Sequence, residues 1–190
     1  MDTGILKELF VDNLFGTFGE KYGRRFVQLK ETDRNAKLKK VDIYDVPAGS
    51  MLIKLDKTEP PHSLFKKDKG KCRRCDYVLI TEAAGRQFIL FIEMKSALNR
   101  NRMSDAKKQF LGAECIIDYC SATLKRFHDQ NDFFGQYEKR FIVFYKPFVS
   151  KRRTRPLKKI FHESPQKNDR PERTLKYPAP VNPSLKNLVT

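Results

Sequence analysis

Alternation of apolar and polar positions divides much of the chain into helices and strands. Residues 3 to 15 predict an amphipathic helix, because four apolar side chains recur on one face: Ile5, Leu6, Leu9 and Phe10. The segments "KVDIYDV" and "MLIKLDK" have the residue types of short strands, and "PAGS" between them is typical of a turn. Before these strands, "EKYGRRFVQL" favours a second, short helix.

The clearest pattern lies in the centre of the chain. The segments "RCDYVLIT" and "RQFILFIEMK" are rich in strand-forming residues and are joined by the short connection "EAAG", so they predict an antiparallel hairpin. After the hairpin, apolar residues recur at alternating spacings of three and four, which predicts one long amphipathic helix. The apolar stripe of this helix consists of Met103, Ala106, Phe110, Ala113, Ile117, Cys120, Leu124 and Phe127.

The order of these elements indicates the fold class. The continuous apolar run of "KRFIVFYK" at residues 139 to 146 predicts a further strand that is buried on both faces. Helices at the start and after the hairpin, together with this strand, indicate an α/β domain in which helices flank a mixed central sheet. We expect this domain to occupy residues 1 to 148.

The composition changes near residue 147. Seven of the ten prolines lie at or beyond that position, and residues 146 to 190 carry 12 Lys and Arg against 3 Asp and Glu. No sustained periodicity is visible there, so residues 149 to 190 are interpreted as a basic, proline-rich C-terminal arm. Its densest basic cluster favours contacts with phosphates, although the same residues also suit a solvated terminus. The cluster consists of Lys151, Arg152, Arg153, Arg155, Lys158 and Lys159.

Bulk charge favours a polyanionic partner. The chain of 190 residues has a formal net charge of +16, and a hydrophobic content of 39% is sufficient for a packed core. No basic segment precedes a long apolar stretch, and no run approaches the ~18 apolar residues of a membrane span. We therefore expect a cytoplasmic protein that binds nucleic acid rather than membrane. The three histidines are scattered along the sequence, which argues against a histidine-based metal site. The sequence has neither a glycine-rich phosphate-binding loop nor a serine-nucleophile motif, which argues against nucleotide-cofactor enzymes and serine hydrolases.

The cysteines allow a second kind of site. Cys72 and Cys75 form a CxxC motif, which is compatible with a zinc-stabilised interaction module. Cys115 and Cys120 are five residues apart on the predicted helix and therefore point about 140° away from each other, which is poor geometry for two ligands of one ion. Reduced thiols are the usual state of cysteines in a cytoplasmic protein of this size.

The predicted hairpin brings three charged residues to one end of the sheet. Asp76 opens the first strand, and Glu93 and Lys95 share a face at the end of the second. The start of one hairpin strand lies beside the end of the other, so these groups are expected to converge. Two carboxylates suit Mg²⁺, and the lysine can orient an attacking water. The residues alone also allow a simple ion pair between Lys95 and one carboxylate.

"CDYVLI" followed by "FIEMK", with Glu93 seventeen residues after Asp76, resembles the active-site signature of the PD-(D/E)XK nuclease superfamily. The motif's proline is replaced by Cys75. The resemblance implies a restriction-endonuclease-like core and a Mg²⁺- or Mn²⁺-dependent nuclease. It favours an endodeoxyribonuclease over an enzyme that cuts RNA. Asp76, Glu93 and the Met94 carbonyl would bind the metal, and Lys95 would position the water.

Two further site elements follow from the same resemblance. One is an additional acid near the N-terminus, for which Glu8, Asp12 and Glu20 are candidates. The other is a polar residue early in the long helix, and Gln109 fits it as a fourth catalytic residue. A non-catalytic nucleic-acid-binding protein on the same fold remains an alternative to the nuclease, as does the zinc module. Homo-oligomeric assembly is compatible with each of these functions.

Overall fold

A computed structural model describes residues 3–59, 61–66, 69–147, 167–179 and 182–189. Helix α1 (Thr3–Leu9) is followed by strands β1 (Phe18–Lys21), β2 (Arg24–Lys30) and β3 (Lys40–Tyr44). Strands β4 (Met51–Lys54), β5 (Tyr77–Ala83) and β6 (Arg86–Lys95) precede the long helix α2 (Arg100–Phe127). Strands β7 (Glu138–Tyr145) and β8 (Leu175–Pro178) and the short helix α3 (Lys186–Val189) complete the described elements.

Five of the strands form a mixed sheet in the order β4-β5-β6-β7-β8. Strands β4, β5 and β6 pair antiparallel, whereas β6, β7 and β8 pair parallel. The predicted hairpin is confirmed, with Ala83 opposite Arg86. Its turn residues Ala84 and Gly85 both have positive φ, 50° and 70°, which matches the right-handed twist of the strands. Because β6 and β7 are parallel neighbours, the chain must cross over between them, and α2 makes that crossing.

Hydrophobic clusters cover both faces of this sheet. On one face α1 and α2 pack against it, and Phe141 stacks on Phe91 at 5.0 Å between ring centroids, with Phe110 of α2 edge-on at 5.4 Å. On the other face lie α3 and a three-stranded antiparallel sheet in the order β1-β2-β3. Strand β6 is therefore buried on both sides, and the fold is mixed α/β. None of the helices in the described ranges has both the length and the apolar character of a membrane span.

Two features near the N-terminus differ from the sequence prediction. The segment predicted as a second helix is the β1–β2 hairpin, which turns at Tyr22 and Gly23 with φ of 55° and 68°. Val27 and Leu29 are buried while Gln28 between them is less so, which is the period of a strand rather than a helix. Helix α1 ends at Leu9, and only a short 3₁₀ turn, Asp12–Leu14, follows it.

The C-terminal residues require a larger correction. The predicted arm of residues 149 to 190 includes β8, which pairs with β7, and α3, whose Leu188 is buried in the core. Arg140 of β7 is only 2% exposed, and its Nη2 donates to the Val189 carbonyl at 3.2 Å. Asn168 Nδ2 donates to the Leu188 carbonyl at 3.2 Å. This part of the chain belongs to the domain, and the six-residue basic cluster lies outside the described residues.

Candidate functional site

The register of the β5–β6 hairpin places Asp76 beside Glu93. Tyr77, the first residue of β5, pairs with Ile92, so Asp76 lies level with the next residue of β6. The Asp76 backbone N–H donates to Glu93 Oε2 at 3.2 Å. In return, the Met94 backbone N–H donates to Asp76 Oδ2 at 2.7 Å. Two carboxylates are thus fixed at the end of two adjacent strands, as the predicted register requires.

Lys95 joins this pair to helix α2. Its Nζ donates to Glu93 Oε1 at 2.5 Å and to Gln109 Oε1 at 2.8 Å. Gln109 also donates through Nε2 to the Arg74 carbonyl at 3.4 Å. The predicted catalytic set of Asp76, Glu93, Lys95 and Gln109 therefore converges, and the ammonium group is held between a strand and a helix.

Burial makes this cluster electrostatically unusual. Glu93 is 2% exposed, and burial raises its pKa, an effect that the positive charge of Lys95 and its hydrogen bond to the carboxylate oppose. Burial also raises the pKa of Asp76 well above its usual value, and the neighbouring Glu93 charge adds to the rise. With both acids ionised, one ammonium does not balance two carboxylates. An additional cation would relieve that excess of negative charge.

A cleft of about 390 Å³ opens onto the cluster, and we call it the Asp76 cleft. Lys95 and Gln109 line it together with Asp76, while Glu93 lies behind them in the interior. The other described residues that line it are Asp56, Cys72, Arg73, Arg74 and Asp105. A substrate that enters this cleft would meet one carboxylate, one ammonium group and one amide at its floor.

The loop of residues 70 to 74 forms one rim of the Asp76 cleft because Gly112 allows it to approach α2. A Cβ atom at Gly112 would collide with the Arg73 backbone carbonyl. Arg74 then fixes the loop by donating Nε to the Leu55 carbonyl at 2.6 Å and Nη2 to the Thr58 carbonyl. A glycine in the middle of a long helix was the sequence signal of this close approach.

The structure places the three predicted N-terminal acids at the surface. Glu8 of α1, Asp12 of the following turn and Glu20 of β1 are all exposed, and none is among the residues that line the Asp76 cleft. Glu20 belongs to the three-stranded sheet on the other face of the molecule. The helical interpretation of residues 20 to 29 placed this acid on the wrong element.

Two other acids line the Asp76 cleft and were missed from the sequence. Asp56 lies two residues after the end of β4, and the neighbouring Leu55 N–H donates to the Asp76 carbonyl at 3.0 Å, so this pairing brings Asp56 near. The sequence signal for Asp56 was its position shortly after the strand-like segment "MLIK", which pairs with β5. Asp105 of α2 pairs with Arg73 at 2.5 Å. That ion pair ties the rim of the cleft to the helix.

The donor set fits a hard cation better than zinc. In the described part of the chain, no three His, Cys, Asp or Glu side chains are grouped to hold a metal ion. Mg²⁺ often uses only one or two protein carboxylates and takes its other ligands from water and phosphate, so the carboxylates of Asp76 and Glu93 fit it. The Cys75 thiol donates to the Tyr77 carbonyl at 3.2 Å, and burial raises its pKa well above the usual value. Zinc takes four protein ligands in a structural site, and the described residues group no third His, Cys, Asp or Glu with Cys72 and Cys75.

Comparisons of the chain with protein-family models, with curated proteins and with solved structures find no match. The geometry and charge of the Asp76 cleft and of the surfaces around it are therefore the features that point to a function.

Proposed function

We propose that the protein is a Mg²⁺- or Mn²⁺-dependent endodeoxyribonuclease of the PD-(D/E)XK type. The observation that carries this proposal is the convergence of Asp76, Glu93 and Lys95 on one hairpin with Gln109 of the following helix. An Asp at the start of one strand and a Glu-x-Lys at the end of its antiparallel partner is the arrangement that the resemblance implies. The net charge of +16 suits a nucleic-acid substrate.

Burial separates this cluster from an ordinary surface ion pair. The Lys95 side chain is 18% exposed and that of Glu93 only 2% exposed. Removing charged groups from water is costly, and a buried ion pair is weak evidence for a stabilising role. Burial raises the pKa of both Asp76 and Glu93, and acids shifted in this way beside a cleft are typical of functional sites. This favours chemistry over stability as the reason for the cluster.

The roles of the residues follow from their contacts. Asp76, Glu93 and the Met94 carbonyl would hold the cation, which supplies an acidified water and stabilises charge on the phosphate under attack. Lys95 borders the cleft and can donate a hydrogen bond to that water or to a phosphate oxygen. Gln109 keeps the Lys95 ammonium group in place from the helix side.

The test is metal-dependent cleavage of duplex and single-stranded DNA by purified variants. Glu93→Ala and Lys95→Ala are each expected to lower cleavage by about 100-fold or more, the effect of removing one catalytic group. Lys95→Arg keeps a positive charge beside Glu93, so the fold is preserved, but the larger planar group cannot take the same position. We expect cleavage to fall in this variant as well.

Glu82→Ala and Lys125→Ala serve as matched controls, since both residues are exposed and lie outside the Asp76 cleft. These variants are expected to cleave like the wild type, and thermal melting checks that all variants are folded. Unchanged cleavage in folded Glu93→Ala and Lys95→Arg would rule out the proposed active site.

One observation favours the second candidate, a non-catalytic nucleic-acid-binding protein on the same fold. Both oxygens of Glu93 already accept hydrogen bonds, one from Lys95 and one from the Asp76 N–H. Each carboxylate oxygen has a second lone pair, so metal binding is still compatible with these contacts. Tight binding to DNA without any cleavage in Mg²⁺ or Mn²⁺ would favour this candidate over the nuclease.

A further inference from the structure

A second cleft, of about 510 Å³, borders the first turns of α2, and we call it the Arg100 cleft. Arg100 and Lys107 line it from the helix, and Lys176 lines it from β8. Leu98 and Met103 contribute apolar wall. The cleft is therefore built by two elements that are distant in sequence but are brought together at the ends of the parallel strands.

The Arg100 cleft and the Asp76 cleft lie on opposite sides of α2. Asp105 and Gln109 line the Asp76 cleft, and Lys107, which lies between them in sequence, lines the other. Residues two positions apart on a helix point about 160° away from each other. The short segment from Lys95 to Leu98 joins the two clefts at the end of β6.

Uncompensated positive charge distinguishes the Arg100 cleft. Among the residues that the structure describes, none that lines the Arg100 cleft is acidic, whereas three acids line the Asp76 cleft. Elsewhere on the described surface several cations are paired, such as Arg73 with Asp105 and Lys139 with Glu114. Arg100, Lys107 and Lys176 form no ion pair with any acidic residue in the described ranges. Three cations in one concave surface without an acid suit an anionic ligand of comparable charge density.

The separation of the two clefts across α2 is short enough for one nucleic-acid strand to reach both. A helix with its side chains is ~10 Å across, so the two clefts are separated by about that length. A strand in a duplex rises ~3.4 Å along the duplex axis per nucleotide, and its phosphates lie farther apart than this rise because the strand also winds around the axis, so ~10 Å spans at most about three nucleotides. One strand that crosses the first turns of α2 can therefore place a phosphate in each cleft.

We propose that the Arg100 cleft binds a backbone phosphate of the substrate strand, two or three nucleotides from the phosphate in the Asp76 cleft. This inference rests on the proposed function, because it takes the ligand of both clefts to be one strand. Arg100, Lys107 and Lys176 neutralise that phosphate and fix the direction in which the strand crosses α2. Contacts of this kind position the backbone and do not read bases, so the subsite acts on any sequence.

The first experiment measures binding in EDTA, where no cleavage occurs, by fluorescence anisotropy of a labelled DNA duplex at several salt concentrations. The Lys107→Ala/Lys176→Ala double variant is expected to bind about tenfold more weakly than wild type. Its slope of log affinity against log salt should be flatter by about 0.9 for each phosphate that the variant no longer neutralises. Arg100→Ala, at an exposed position, provides a second variant that leaves the interior untouched and is expected to show the same direction of change.

The matched control is Lys125→Ala/Arg126→Ala, which removes the same charge from exposed positions in the last turn of the same helix. We expect this variant to retain most of the wild-type affinity. Unchanged affinity in the cleft variants, or an equal loss in the control, would overturn the inference. A further result would also overturn it: cleft variants that lose binding to phosphatidylserine vesicles but bind DNA like the wild type. The ligand of the cleft would then be a lipid headgroup.

The second experiment locates the subsite relative to the cut. Substrates carry a single neutral methylphosphonate linkage at successive positions on either side of a defined cleavage site. A neutral linkage two or three nucleotides away on one side should slow cleavage by the wild type, with little further effect in the double variant. Equal sensitivity of both proteins at every position would overturn the inference. If the protein cuts no substrate, the proposed function fails, and the EDTA binding experiment still decides whether the Arg100 cleft holds phosphate.

Discussion

Asp76 and Glu93 place two carboxylates in the interior, and the Lys95 ammonium group offsets only part of the cost of burying their charge. A buried acid whose pKa is raised holds its proton more tightly in the folded state than in the unfolded chain. The resulting loss of stability is absent below the ordinary pKa of the acid and grows as the pH rises through the raised value. At neutral pH, the pair is therefore expected to destabilise the metal-free protein.

Asp76→Asn is accordingly expected to raise the melting temperature in EDTA by a few degrees. The asparagine Oδ1 can still accept the Met94 N–H, while the buried negative charge is removed. The stabilisation of wild type by added Mg²⁺ should disappear in this variant. Thermal melts of both proteins, with and without Mg²⁺, check the prediction, and Glu82→Gln at an exposed position serves as the control. A lower melting temperature in EDTA would show that the Asp76 charge stabilises the fold.

Asp45 shows the opposite shift at the end of β3. Hydrogen bonds from Arg24 and Ser184 lower the pKa of Asp45 to about 2, so its contribution to stability is present above pH ~3.8. It is lost as the pH falls from that value towards 2. Arg24 binds Asp45 through two nitrogens, at 2.7 and 2.6 Å, but both side chains are about half exposed, so the effect is small.

We expect Asp45→Asn to lower the melting temperature at pH 7 by about 1 to 2 °C. Asparagine tolerates the left-handed backbone of this position, where φ is 61°, so the change tests the charge alone. The difference between wild type and variant should shrink between pH 4 and pH 2. A difference that is constant over this range would assign the effect to packing rather than to the ion pair.

Elements with a sustained period are the ones that the sequence pattern predicted well. The β5–β6 hairpin and α2 repeat their pattern over many residues, and the site residues that they carry converge. The β1–β2 hairpin was missed because a Tyr-Gly turn with positive φ is hard to distinguish from a helix break. Strand β8 and helix α3 have four residues each, which is too short for any period to be recognised. Both elements are buried because they contact β7, which lies more than thirty residues earlier in the sequence. In β8, for example, Leu175 pairs with Ile142 of β7.

Gly112 is the position at which helix propensity and packing conflict. Alanine is normally the better helix former by up to ~1 kcal/mol. Here its Cβ would meet the Arg73 carbonyl, and overpacking of this kind costs about 1 to 3 kcal/mol. Gly112→Ala is therefore expected to lower the melting temperature by several degrees and to weaken cleavage, because the loop that carries Arg73 and Arg74 is displaced.

Gly49→Ala is the matched control for this change, since a Cβ at Gly49 would meet no described residue within 4 Å. We expect it to leave stability and cleavage nearly unchanged. Thermal melting and the cleavage assay are measured on both variants. A Gly112→Ala protein that is as stable as Gly49→Ala would show that the loop can move away without loss.

At the scale of the whole molecule, the C-terminal residues complete the hydrophobic core beneath the five-stranded sheet. Tyr177, Leu185 and Leu188 are buried, and Arg140 depends on the Val189 carbonyl for two of its hydrogen bonds. Deletion of residues 149 to 190 would remove this packing together with the basic cluster. Such a deletion cannot separate the charge of the cluster from the stability of the fold, so the role of the charge has to be tested by substitution.

Replacement of all six residues of the basic cluster, Lys151, Arg152, Arg153, Arg155, Lys158 and Lys159, by glutamine tests whether they contact phosphate. We expect the variant to fold with an unchanged melting temperature, because β8 and α3 remain. Binding to every duplex should weaken alike, and the slope of log affinity against log salt should flatten by about 0.9 for each phosphate that is left without its cation. Cleavage at saturating DNA should be retained, because the proposed catalytic residues lie at the Asp76 cleft. An unchanged salt slope in the folded variant would show that these charges do not contact the backbone, and the Arg100 cleft would then account for a larger share of the binding.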